Sequence, residues 1–108
     1  MTDKIIVLVT CGSRKEARKI ARALVGQRLA ACVSEIGVPV ASTYRWRGKV
    51  ESANEFLLLI KTSRRRFAAV RDAVRELHSY EVPEIIAFPI AAGSRAYLDW
   101  IAASVKSS

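Results

Sequence analysis

Residues 5 to 9, IIVLV, are apolar without a break, the pattern of a strand covered on both faces at the centre of a sheet. After the polar turn TCGSR the period changes. Ala17, Ile20, Ala21, Leu24 and Val25 recur at helical spacing, so a helix runs from residue 14 towards 28, with Ser13 as its N-cap and Gly26 and Gln27 at its end. The next strand is expected to start at LAACV, and residues 29 to 47 read as extended. About 19 extended residues would reach roughly 60 Å, beyond the width of a domain this size, so the chain must bend. Gly37 and Pro39 supply the bend. STYRW then runs to Gly48, expected at a hairpin tip, and KVESANEFLLLIKT returns. Its inner part, FLLLI, reads as a central strand, whereas KVESANE is too polar to be one.

Thr62 or Ser63 is expected to cap a second helix carrying Phe67, Val70, Val74 and Leu77 on one face. That helix ends at His78 and Ser79, because Pro83 cannot lie within it. IIAFPI forms the fourth main strand, with Pro89 at its margin, and Gly93 and Ser94 open a short third helix carrying Tyr97, Leu98, Trp100 and Ile101. The order β, α, β, β, α, β, α predicts an α+β, ferredoxin-like sandwich: one antiparallel sheet with helices on one face. Enzymes, metal carriers, sensors and RNA-binding modules all use this fold, so function must come from particular residues.

The 108 residues suit a single domain, and 51% hydrophobic with 26% charged residues favours a packed core over disorder. No apolar run approaches the roughly 18 to 20 residues that span a bilayer, and IIVLV is too short for a signal-peptide core. A cytoplasmic setting without membrane association is therefore expected. Cys11 and Cys32 have neither disulfide-framework nor zinc-ligand spacing and read as small buried hydrophobes. Eighteen basic against ten acidic residues leave a formal charge of +8. On the first helix Lys15, Arg18, Lys19 and Arg22 fall opposite the apolar stripe, which makes a solvated face the favoured reading over a polyanion site.

The lone histidine sits in LHSYEVPEIIAFPI. An imidazole from His78, a thiolate from Cys11 and carboxylates from Glu81 and Glu84 are all suitable ligands for copper or zinc. Equally, His78 closes a helix, where the carbonyl end of the dipole favours an imidazolium, and Glu84 orders the entry to a strand. No GxSxG, Walker or GxGxxG pattern occurs. Tyr44 and Trp46 alternate with Arg45 and Arg47 on a projecting arm. They could stack nucleic-acid bases, but two aromatics that one domain cannot cover fit a subunit contact better. The strands lack the aromatic-rich RNA-recognition signature, so a nucleic-acid partner is the lesser alternative.

LAACV, STYRWRGKVE, LLLIKT, LHSYEVPEIIAFPI and the ending YLDWI together resemble the CutA divalent-cation tolerance family, in its order and spacing across nearly the whole chain. The resemblance implies a ferredoxin-like subunit in a homotrimer, a link to tolerance of copper and other divalent cations, and no catalysed reaction. It implies no obligatory cofactor, with copper, another divalent cation or a small ligand bound at a cleft between subunits. The site expected there comprises His78, Glu81, Glu84 and Cys11 for the metal, with Tyr80 and Lys61 lining the cleft. Tyr44, Trp46 and Trp100 are expected at the trimer contacts.

Overall fold

The computed structural model describes residues 2–106. Strand β1 (Lys4–Cys11) and helix α1 (Arg14–Gly26) lead to β2 (Cys32–Glu35), β3 (Val40–Trp46) and the long β4 (Lys49–Ser63). One 3-10 turn (Arg64–Arg66) precedes α2 (Phe67–Leu77), β5 (Ile85–Pro89) and α3 (Arg95–Ser104). The sheet order is β2-β4-β1-β5 with every pair antiparallel, the ferredoxin-like arrangement.

Strand alternation and register decide which side chains meet the helices. Ile5, Val7, Val9 and Cys11 of β1 stand opposite Thr62, Ile60, Leu58 and Phe56 of β4, and therefore on the same face. Ala17, Ile20 and Leu24 of α1 and Val70 and Val74 of α2 close over that face as one core. The other face carries Ile6, Leu8, Leu57 and Leu59, with Ile86 and Phe88 of β5 left exposed there. Ile101 of α3 and Val105 just after it pack with Ala31 and Ile90 in a second, smaller cluster. The Arg28 guanidinium ties that helix down by donating to the carbonyls of Ala103 and Ser104.

The expected bend lies where it was placed, but it divides the extended segment into two strands. β2 starts at Cys32 rather than Leu29, and Gly37 to Pro39 separates it from β3. β4 then pairs with β1 and β2 along its inner half and with β3 alone along its outer half. KVESANE is thus strand, though not central strand: it forms one side of a two-stranded arm whose seven pairs extend roughly 24 Å. At the tip, Arg47 and Gly48 have φ of 52° and 81°, a two-residue turn of the type that matches strand twist.

Ser13 caps α1 by accepting from the Glu16 amide, and Ser94 caps α3 through Tyr97. The expected cap on α2 is not formed. Thr62 and Ser63 are the buried last residues of β4. The Thr62 hydroxyl donates instead to the Leu29 carbonyl at 2.7 Å, and α2 opens at Arg66 with no side-chain cap. Among the described residues no helix is long and apolar enough to cross a membrane.

Candidate functional site

The segment after α2 is held to the sheet by His78. Its helix ends because His78 turns extended, with φ −84° and ψ 140°, which aims the ring inward. Nε2 lies 2.7 Å from the Thr10 carbonyl, and Nδ1 accepts from the Tyr80 amide at 3.0 Å. A ring that accepts at Nδ1 must donate at Nε2, so this pattern assigns the neutral Nε2–H tautomer. Glu16 of α1 adds to the anchor. It acts through Ser79, whose amide and hydroxyl both donate to its carboxylate.

Fixing His78 fixes Tyr80, whose ring lies against the imidazole with centroids 4.7 Å apart. The phenol then passes over Gly12, where even a Cβ would stand 3.0 Å from the hydroxyl oxygen. The phenol faces Glu55, a carboxylate buried at the base of the arm. Desolvation, with Glu55 second, pushes the phenol above its ordinary range, so it stays a donor.

Between this segment and the arm lies a groove of about 760 Å³. Four carboxylates (Glu51, Glu55, Glu81 and Glu84) line it, together with the rings of Tyr44, Trp46 and Tyr80. Glu81 also pairs with Arg47 near the arm tip at 3.3 Å, in full solvent. Four of the chain's ten acidic residues therefore face one groove of a protein whose formal charge is +8.

The structure redraws the expected ligand set. Tyr80, Glu81 and Glu84 share the groove with Tyr44 and Trp46, but the expected metal donors His78 and Cys11 are otherwise occupied. Both His78 nitrogens are spent on backbone groups. Cys11 points into the helix-covered core, fully buried, and burial raises its thiol to about 12, which withholds the thiolate a metal would need. Lys61 is elsewhere: it stands on the open sheet face and donates to Ser34 at 2.6 Å. Trp100 lies on α3 beside Tyr97, partly exposed and apart from the groove. Among the described residues no three His, Cys, Asp or Glu side chains converge as a metal site would require.

Glu51 and Glu55 were missed because KVESANE reads as solvent-facing strand. The available signal was that both belong to the same strand face, four residues apart, on an arm whose aromatics one domain cannot cover.

The comparisons agree with this architecture. The family model of the CutA1 divalent ion tolerance protein matches residues 5–104. The divalent-cation tolerance protein CutA of Thermus thermophilus is 51% identical over 96 residues, covering 89% of this chain and 92% of its own. The human protein CutA is 47% identical over 93 residues, which is 86% of this chain and 51% of that longer one. Among solved structures, the Thermus thermophilus divalent cation tolerance protein superposes with a TM-score of 0.92 at 47% identity, covering 95% of this chain and 99% of that one. CutA from Xylella fastidiosa gives 0.93 at 39% identity, covering 97% and 100%. With sequence and fold matching from end to end of the domain, this chain belongs to the CutA1 divalent ion tolerance protein family.

Proposed function

We propose that this protein serves divalent-cation tolerance as a non-catalytic homotrimer that binds a divalent cation or a small cationic ligand at the groove beside the arm. The observation that carries the reading is the gathering of Glu51, Glu55, Glu81 and Glu84 around one concave surface. The donors are carboxylate oxygens, which suit hard divalent ions; any such site still takes Cu²⁺ ahead of the other first-row divalent ions, which makes copper the sensitive probe. Because no three ligands converge among the described residues of one subunit, binding of moderate strength, completed by a neighbour, is the arrangement proposed. His78 acts here as the anchor of the groove wall. The groove offers hydroxyls from Thr10, Ser42 and Thr43 but no imidazole base beside them, consistent with binding rather than catalysis.

Assembly is supported by apolar surface that the subunit leaves bare. Tyr44, Trp46 and Val50 on the arm and Ile86 and Phe88 on the open sheet face are all exposed. Two or three covered rings are a typical core for a stable subunit contact.

The test is calorimetric titration with Cu²⁺ of the parent and of an Glu51→Gln, Glu81→Gln, Glu84→Gln variant, with sedimentation run alongside. The expected result is a trimer in both cases and at least tenfold weaker copper binding in the variant. Unchanged affinity removes the groove as the site, and a monomeric parent at micromolar concentration removes the assembly.

A further inference from the structure

We propose that the outer face of the helical layer is a docking surface for the phosphate backbone of double-stranded nucleic acid. The observation is that the fold sorts the chain's charge. α1 and the segment 64–77 contain ten Lys and Arg against three Asp and Glu, so they hold +7 of the formal +8. The sheet, the arm and the remaining segments together are nearly neutral. Interspersed signs are what a surface kept soluble by charge alone normally shows.

Geometry sharpens the asymmetry. At 100° per residue, Lys15, Arg18, Lys19 and Arg22 fall within an arc of about 100° opposite the buried Ala17, Ile20 and Leu24. All four are exposed, as are Arg64 and Arg75 of the segment 64–77. None of these six makes a side-chain hydrogen bond or ion pair among the described residues. The one carboxylate of α1 is taken off this face: Glu16 turns towards Ser79 and His78 and is largely covered. Asp72 is engaged by Arg71 at 3.0 Å. The result is a row of unpaired cations spanning about two helical turns, complementary to closely spaced phosphates.

The same face argues against two other polyanions. An anionic membrane held by a helix at its surface is normally met by aromatic or leucine side chains that enter the acyl boundary. Val25 is the only large apolar residue that α1 and α2 expose. Single strands are bound by aromatic platforms on which bases stack, and α1 and the segment 64–77 show no exposed ring; Tyr97 and Trp100 are exposed on α3 instead. What remains is sequence-independent contact with a regular duplex backbone. This surface is separate from the acidic groove, so it stands or falls without the cation-binding reading.

The experiment measures binding of the full chain to a 20-base-pair DNA duplex across 50 to 300 mM salt. Three proteins are compared: the parent, a Lys15→Gln, Arg18→Gln, Lys19→Gln, Arg22→Gln variant, and an equal-charge control with Arg45→Gln, Lys49→Gln, Arg95→Gln and Lys106→Gln. Each contacted phosphate contributes about 0.9 to the slope of log K against log salt, so the helix variant should lose about 3 to 4 from that slope and bind at least tenfold more weakly at 100 mM. The control should keep a slope within about one of the parent's. All eight substitutions are at exposed positions, and circular dichroism verifies that each variant is folded. The proposal is overturned if the parent fails to bind duplex at 50 mM salt, or if helix variant and control lose equally. It is also overturned if single strands, or vesicles with 30% phosphatidylserine, are bound more tightly than duplex.

Discussion

Replacing His78 with alanine separates an anchor from a metal ligand. In the structure its ring satisfies two backbone groups, the buried Thr10 carbonyl at 2.7 Å and the partly buried Tyr80 amide at 3.0 Å. Truncation strands both. A buried polar group left without a partner costs about 1 to 3 kcal/mol, and the emptied ring volume beneath Tyr80 adds to that, so the loss should be about 2 to 5 kcal/mol. The assay is urea denaturation at fixed protein concentration, since the midpoint of the proposed trimer would depend on concentration. Copper titration of the folded variant accompanies it. A destabilisation below about 1 kcal/mol would refute the anchoring role, because neither backbone group could then have depended on the ring. Near-normal stability with copper affinity abolished would be the signature of a liberated ligand, opposite to the geometry described here.

Trp46→Ala should weaken subunit association by about 2 to 4 kcal/mol while leaving the helices intact, measured by sedimentation across a dilution series; an unchanged dissociation constant would mean that the ring stays uncovered. Cys11 has a thiol raised from 9.0 to about 12, so the folded state keeps its proton where the unfolded chain loses it. Its contribution is therefore fully present below pH 9 and lost as pH rises from 9 towards 12, and denaturation midpoints should fall across that window more in the parent than in Cys11→Ala. Under native conditions at pH 8, dithionitrobenzoate should label no more than one thiol per chain, because Cys11 is fully buried. Gly48→Ala places a side chain at φ 81° at the arm tip and should cost about 1 kcal/mol in denaturation, with a larger effect on assembly if the arm carries the contact.

Much of the fold was legible because local periods encode it. IIVLV is a central strand as its pattern predicts, though within the subunit the helices cover only the Ile5, Val7 and Val9 side, and Ala17, Ile20 and Leu24 face that core from a helix. The caps at Ser13 and Ser94 and the turn at Gly48 follow from side chains within a few residues of where they act. The cap on α2 misled for the converse reason. Thr62 has the right chemistry for a cap, but the Leu29 carbonyl, 33 residues away, claims its hydroxyl first.

The candidate site divides along the same line. Residue types and their order determined, without coordinates, the sandwich, the projecting aromatic arm and the family resemblance, since these depend on spacing along one chain. Only tertiary structure decided that His78 is bound to Thr10, 68 residues distant, and chose for Cys11 between the buried hydrophobe and the metal ligand that its spacing left open. It also decided that Glu51 and Glu55 of β4 meet Glu81 and Glu84 across a groove. Ligand chemistry is a property of a side chain, but availability is a property of its surroundings. A lone pair already committed to a backbone group, or a thiol held from water, cannot be read from spacing, because the competing partner is brought there only when the sheet closes.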